Sequence, residues 1–138
     1  MLKITAEALQ GMLAHCQREY PNEACGYLAG MDDTATHAYV VENDHHSPTS
    51  YYMNSAGQVV AQQDMRNRAL KPVAIYHSHV ATEAYPSRRD IENALTIQEL
   101  YDGLHVLVSL KNRDNPKVRA FKIHDGFPQE VAVEETQR

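Results

Sequence analysis

The sequence predicts a mixed α/β fold in which helices lie on the faces of a mixed, mostly antiparallel sheet. Two observations predict it. Segments with helical spacing of apolar residues (5–20, 54–70, 87–101) are interleaved with β-prone runs (23–30, 36–41, 72–76, 104–110, 118–124). Turn signals at Met31 to Thr34, Lys111 to Pro116 and Asp125-Gly126 join several of these runs as hairpins. At 138 residues the chain has the size of one domain with one substantial core. We place that domain at residues 1–133 and expect 134–138 to be a frayed, disordered tail.

In chain order, Leu9, Met12, Leu13 and Cys16 make an apolar stripe over 5–20, with Thr5 as N-cap and Pro21 and Asn22 as the stop. Glu23, Cys25 and Tyr27 then share one face of a strand, and Ala24, Gly26 and Leu28 share the other. Thr36 to Val41 reads as its antiparallel partner. The polar stretch from Glu42 to Ser50 reads as a loop, and His45-His46 within it is a poor chelating pair, because adjacent residues diverge. Tyr51 to Met53 reads as a short strand or extended rim. Asn54 or Ser55 caps the second helix, whose face (Val59, Val60, Met65, Leu70) is only partly apolar. Leu104 to Leu110 is strongly β-prone, and His105 inside it reads as a core or edge histidine. A last short strand is expected near Glu130 to Val133.

The chemistry concentrates between His77 and Asp90. Pro72 to Tyr76 reads as a buried strand running directly into His77-Ser78-His79. Residues i and i+2 of a strand leave the same face, so both imidazoles can converge on one ion. Ser87-Arg88-Arg89-Asp90, ahead of Ile91, Ala94 and Leu95, reads as a helix start with Asp90 in its first turn. A short loop can return that carboxylate to the histidines. Two imidazoles and one carboxylate suit Zn2+, and three protein ligands leave a fourth position open, as catalytic sites require.

The spacing from His77-x-His79 through Ser87 to Asp90 resembles the JAMM (MPN+) zinc metalloprotease motif, and Glu23, in Pro21 to Leu28, resembles the glutamate segment of its small bacterial and archaeal members. Val80 stands where many of those members carry proline, a departure that removes no ligand. The resemblance implies a curved, three-layer sheet fold related to cytidine deaminases. It also implies one catalytic zinc on His77, His79 and Asp90, with Glu23 as general base and acid and Ser87 as oxyanion donor. Ser87 has a second reading as a plain helix cap. The implied reaction is hydrolysis of a peptide or isopeptide bond at the C-terminal glycine tail of a ubiquitin-like or sulfur-carrier protein, entered as an extended strand beside a sheet edge.

Other classes fit less well. A zinc deaminase needs a Cys-x-x-Cys pair, which Cys16 and Cys25 cannot supply, and a cupin has few helices. A metal-free scaffold of the same fold would lack the motif. A net charge of −5 argues against nucleic acid, and no stretch has the length and apolarity of a membrane span. With two unpaired cysteines, a cytoplasmic setting is expected. Oligomeric state is not written in the sequence.

Overall fold

Side chains named as caps start all three helices. The computed structural model describes residues 1–136. Thr5 Oγ1 accepts from Ala8 N at 3.2 Å to open α1 (Ala6–Glu19), and Asn54 Oδ1 accepts from Gly57 N at 2.8 Å to open α2 (Ser55–Asn67). Ser87 and Asp90 form a reciprocal capping box at the start of α3 (Arg88–Ile97). That helix ends one turn earlier than the sequence predicts. Glu99 is exposed and Leu100 is 90% exposed, so two of the residues after Ile97 have little to hold them in a further turn.

The strands are β1 (Leu2–Thr5), β2 (Cys25–Met31), β3 (Thr34–Val41), β4 (Lys71–His79), β5 (Leu104–Ser109), β6 (Lys117–His124), β7 (Phe127–Val131) and β8 (Val133–Thr136). They form one sheet in the order β7-β6-β5-β4-β2-β3-β1-β8. Four neighbouring pairs are antiparallel (β2–β3, β2–β4, β5–β6, β6–β7) and three parallel (β1–β3, β1–β8, β4–β5), so the mixed, mostly antiparallel sheet is as expected. Asp125 and Gly126 both have positive φ (52° and 84°) and close the β6–β7 hairpin as its turn chemistry requires.

Helices cover both faces. α1 lays Ala8, Met12 and Cys16 on one, against Leu28, Ala74, Tyr76, Val106 and Val108. On the other, α2 packs Ala61 and Met65 against Cys25, Tyr27, Ala29 and Ile75, and Ala94 of α3 joins Leu107, Phe121 and Ile123. Each large side chain so buried contributes about 1.5–3 kcal/mol. Val59 and Val60, expected on the packing face of α2, are 59% and 67% exposed, because the face turned to the sheet runs through Ala61 and Met65, four residues apart.

Two corrections concern the chain's ends. Leu2–Thr5 is a strand that the sequence reading omitted, and its Leu2 and Ile4 are fully buried. Glu134 to Thr136, expected in a frayed tail, belong to β8 and pair in parallel with β1 from Leu2↔Val133 to Thr5↔Thr136. The open edge of β1 gives those residues hydrogen-bond partners, while Val131 and Val133 pack on the core. Residues 137–138 of that tail lie outside the described residues. β7 and β8 are one length of chain broken only at Ala132, whose carbonyl accepts from Leu2 N at 2.8 Å. Its two halves pair at opposite ends of the sheet order. Among the described residues, no helix is long and apolar enough to cross a membrane.

Candidate metal centre

β4 lies between β2 and β5, so its C-terminal end is held by ladders on both sides, with Cys25↔His77 on one and His77↔Leu107 and His79↔Ser109 on the other. Ile75, His77 and His79 alternate onto the face covered by α2 and α3. The segment from Val80 to Ser87 then turns back. Thr82 O accepts from Ser109 Oγ at 2.6 Å, Lys111 pairs with Glu83 at 2.9 Å, and Ala84 is buried. The return brings Asp90, in the first turn of α3, beside both histidines.

The three side chains meet. His77 Nε2 lies 3.1 Å from Asp90 Oδ1, His79 Nε2 lies 2.9 Å from Asp90 Oδ2, and the two Nε2 atoms are 3.2 Å apart. They form a group whose ligand atoms all lie within 4.8 Å of one another. The protonation pattern shows what they suit. His79 Nδ1 is 2.8 Å from the Glu83 carbonyl, an acceptor only, so Nδ1 carries the hydrogen and neutral His79 presents a lone pair at Nε2. That lone pair faces a carboxylate oxygen and a second imidazole nitrogen. Electron pairs so arranged need a proton or a cation between them. With Zn–N bonds of about 2.0–2.1 Å, a tetrahedral centre spaces its ligand atoms about 3.3–3.4 Å apart. The observed separations of 2.9–3.2 Å, with each histidine facing its own oxygen of the Asp90 carboxylate, are close to that, so the donor set fits zinc.

When protons rather than a cation fill that gap, the ring nitrogens donate instead: burial raises the Asp90 carboxyl, but hydrogen bonds from His77 and His79 outweigh it and hold it well below the usual carboxylate range. Burial lowers His77 despite Asp90. His79 is raised, because its bonds to Asp90 and the Glu83 carbonyl outweigh burial.

Glu23 precedes β2 rather than starting it, yet its placement is fixed. Ser78 N donates to Ala24 O at 3.0 Å, and Ser78 Oγ accepts from Ala24 N at 2.8 Å. Continuing the register beyond Cys25↔His77 sets Glu23 across from His79 on the histidine face. The side chain is 6% exposed, and burial pushes its carboxyl up to about 8, with Asp90 adding to the rise and His79 and Arg89 opposing it. Ser87 is exposed at the rim. Its Oγ accepts from Asp90 N at 3.1 Å, and its backbone N donates to Asp90 Oδ2 at 2.9 Å, which leaves its own O–H free to donate.

The remaining candidates stand apart. His45 bonds Ser50 Oγ at 2.9 Å, and His46 pairs with Glu42 at 3.4 Å. His105 is half-buried, edge-on to Tyr101, and shares a small cavity with His77 and Asp90 without joining their cluster. Cys16 and Cys25 are buried free thiols, and burial pushes each up to about 12. Sequence reasoning missed three supporting residues. Ser78 anchors the Glu23 segment, Tyr51 stacks on His77, and Asn43 donates to Glu23 O at 3.0 Å. Ser78 was within reach as the inward residue between the histidines, whereas nothing local marks the other two.

This site sits on a recognisable scaffold. Residues 5–124 match the prokaryotic homologs of the JAB domain, and the chain belongs to that JAB/MPN (JAMM) family. More particularly, it is similar to the CysO-cysteine peptidase of Mycobacterium tuberculosis (strain ATCC 25618 / H37Rv), with 38% identity over 135 residues, 96% of this chain and 90% of that one. It is 34% identical over 95 residues to the probable TtuB-protein conjugate cleaving protease of Thermus thermophilus, covering 68% of this chain and 64% of the relative. The solution structure of protein DSY2949 from Desulfitobacterium hafniense matches it with a TM-score of 0.87 and 29% identity, over 100% of this chain and 94% of that one.

Proposed function

We propose that this protein is a cytoplasmic, zinc-dependent hydrolase that cleaves a peptide or isopeptide bond at the C-terminal glycine tail of a ubiquitin-like or sulfur-carrier protein. The observation that carries the reading is the convergence of His77, His79 and Asp90 with their electron pairs facing one another. Family membership supports it, as do the relatives described as acting on CysO-cysteine and on TtuB-protein conjugates.

His77, His79 and Asp90 would hold one zinc ion. Bound there, zinc supplies Lewis acidity, which makes water a nucleophile at neutral pH and polarises a carbonyl. Glu23 takes the proton of the attacking water and passes it to the departing nitrogen. Its burial suits both halves of that task, since a carboxyl raised towards neutrality gives up its proton and regains it readily. Ser87 donates its O–H to the oxygen on which negative charge develops. Asp90 would hold the ion as a carboxylate, because a metal ligand must be deprotonated.

Two measurements test the reading. Purified protein should contain one zinc per chain, and absence of stoichiometric metal would return the chain to the scaffold class. The zinc-loaded protein should convert carrier adducts joined through a diglycine tail to cysteine, a short extension or a lysine, giving two products whose masses sum to that of the adduct plus one water. Adducts left intact by the zinc-loaded protein would overturn the assignment.

A further inference from the structure

The two histidines of the centre are oriented by different means. An imidazole binds a metal well only when its ring is held about the Cβ–Cγ bond, usually through a hydrogen bond from the nitrogen that does not ligate. For His79 the Glu83 carbonyl does this, 2.8 Å from Nδ1. His77, whose Nε2 faces His79 and Asp90, has the ring of Tyr51 flat against it, with centroids 4.5 Å apart and planes inclined by 25°. Rotation of His77 about Cβ–Cγ would drive the imidazole edge into the phenol face.

Tyr51 is itself set in place. Asn43, 8% exposed, uses its whole amide on this loop. Nδ2 donates to Glu23 O at 3.0 Å and Ser50 O at 3.1 Å, while Oδ1 accepts from His45 N at 2.9 Å and Tyr52 N at 3.0 Å. Both chain neighbours of Tyr51 are therefore tied to one buried side chain, and a bridge between Asn43 and Met53 closes the loop beyond them. Glu23 N in turn donates to Ser47 O at 2.8 Å, so the loop also grips the backbone of the proton-handling residue.

We propose that Tyr51 is a positioning residue of the metal centre, fixing the His77 ring by stacking as the Glu83 carbonyl fixes His79 by a hydrogen bond. The inference rests on the metal-binding part of the proposed function, not on its substrate. The test is the zinc dissociation constant by competition with a chromogenic chelator, with the visible spectrum of the Co2+ form, for wild type and Tyr51→Phe, Tyr51→Leu and Tyr51→Ala. The melting temperature of each metal-free protein serves as the folding control, and Tyr51→Leu keeps apolar bulk should Tyr51→Ala fold poorly. Loss of an orienting partner weakens metal binding about 10–100-fold, so Leu and Ala should lie at or above the low end of that range and Phe within about twofold of wild type. The Co2+ bands should shift in Leu and Ala alone. Equal affinity in wild type and Tyr51→Leu would overturn the proposal, and so would Tyr51→Phe binding as weakly as Tyr51→Ala, since the hydroxyl would then be the acting group. Wild type that cleaves no adduct yet shows this Tyr51 dependence sinks the hydrolase assignment and leaves the positioning role standing. Active wild type with a Tyr51-independent affinity does the reverse.

Discussion

Burial lifts the Glu23 carboxyl to about 8 in the metal-free protein, and a cation on the neighbouring histidine cluster would bring it back towards neutrality, where a proton is both taken and given. Glu23→Gln preserves shape while removing the proton acceptor. It should keep stoichiometric zinc and lose about 10²–10⁴ in kcat, read by metal analysis and adduct turnover. The same burial predicts a stability effect in the metal-free protein. Between the ordinary value of 4.5 and about 8, the unfolded chain has released the Glu23 proton while the folded chain keeps it. The folded state binds more protons there, so this residue's contribution to stability falls as pH rises through that window, by at most about 1.4 kcal/mol per pH unit. Melting curves of chelator-treated wild type and Glu23→Gln from pH 5 to 8 should diverge accordingly, with the variant less pH-dependent. Parallel curves would show that Glu23 is ionised in the folded protein.

At the scale of elements, the site is one strand–loop–helix unit, and this is why the proposed ligands could be grouped from the sequence. His77 and His79 are two residues apart on β4, and Asp90 carries a helix-start signature of its own. Glu23 was read from its resemblance to the family's glutamate segment, and the β2–β4 ladder is what carries that segment to the histidine face. Tyr51 and Asn43 left no such trace, since they reach the site from a loop, where sequence spacing sets no direction. Ser87 joins element and chemistry. As a cap, its replacement by Ala costs about 1 kcal/mol. As an oxyanion donor, its removal costs about 10²–10³ in kcat. Ser87→Ala should show both losses, in denaturant unfolding and in turnover; a stability change with full turnover would leave it a cap alone.

Taken whole, the molecule is a three-layer sheet that the sequence revealed in its middle and concealed at its rim. The interior strands β4, β5 and β6 announce themselves by β-prone runs and turns, whereas β1 and β8 are four residues each and find each other across nearly the entire chain. Parallel pairing at that separation leaves no local pattern. The rim is nonetheless part of the core. Leu2 is 0% exposed, and Leu2→Ala should cost about 2–5 kcal/mol in denaturant unfolding without altering zinc affinity. Metal should stabilise the whole fold as well, because a ligand that binds only the folded state favours it. Chelation should lower the melting temperature and abolish turnover, one equivalent of zinc should restore both, and His77→Ala should show no zinc-dependent shift in melting.

The single run from Phe127 to Thr136 supplies both edge strands of the sheet, pairing with β6 through its first half and with β1 through its second. A belt buckled at Ala132 behaves differently from two independent edges. Because the two edges are joined through Ala132 alone, the amides of β7 and β8 should open as one cooperative unit and exchange with solvent together.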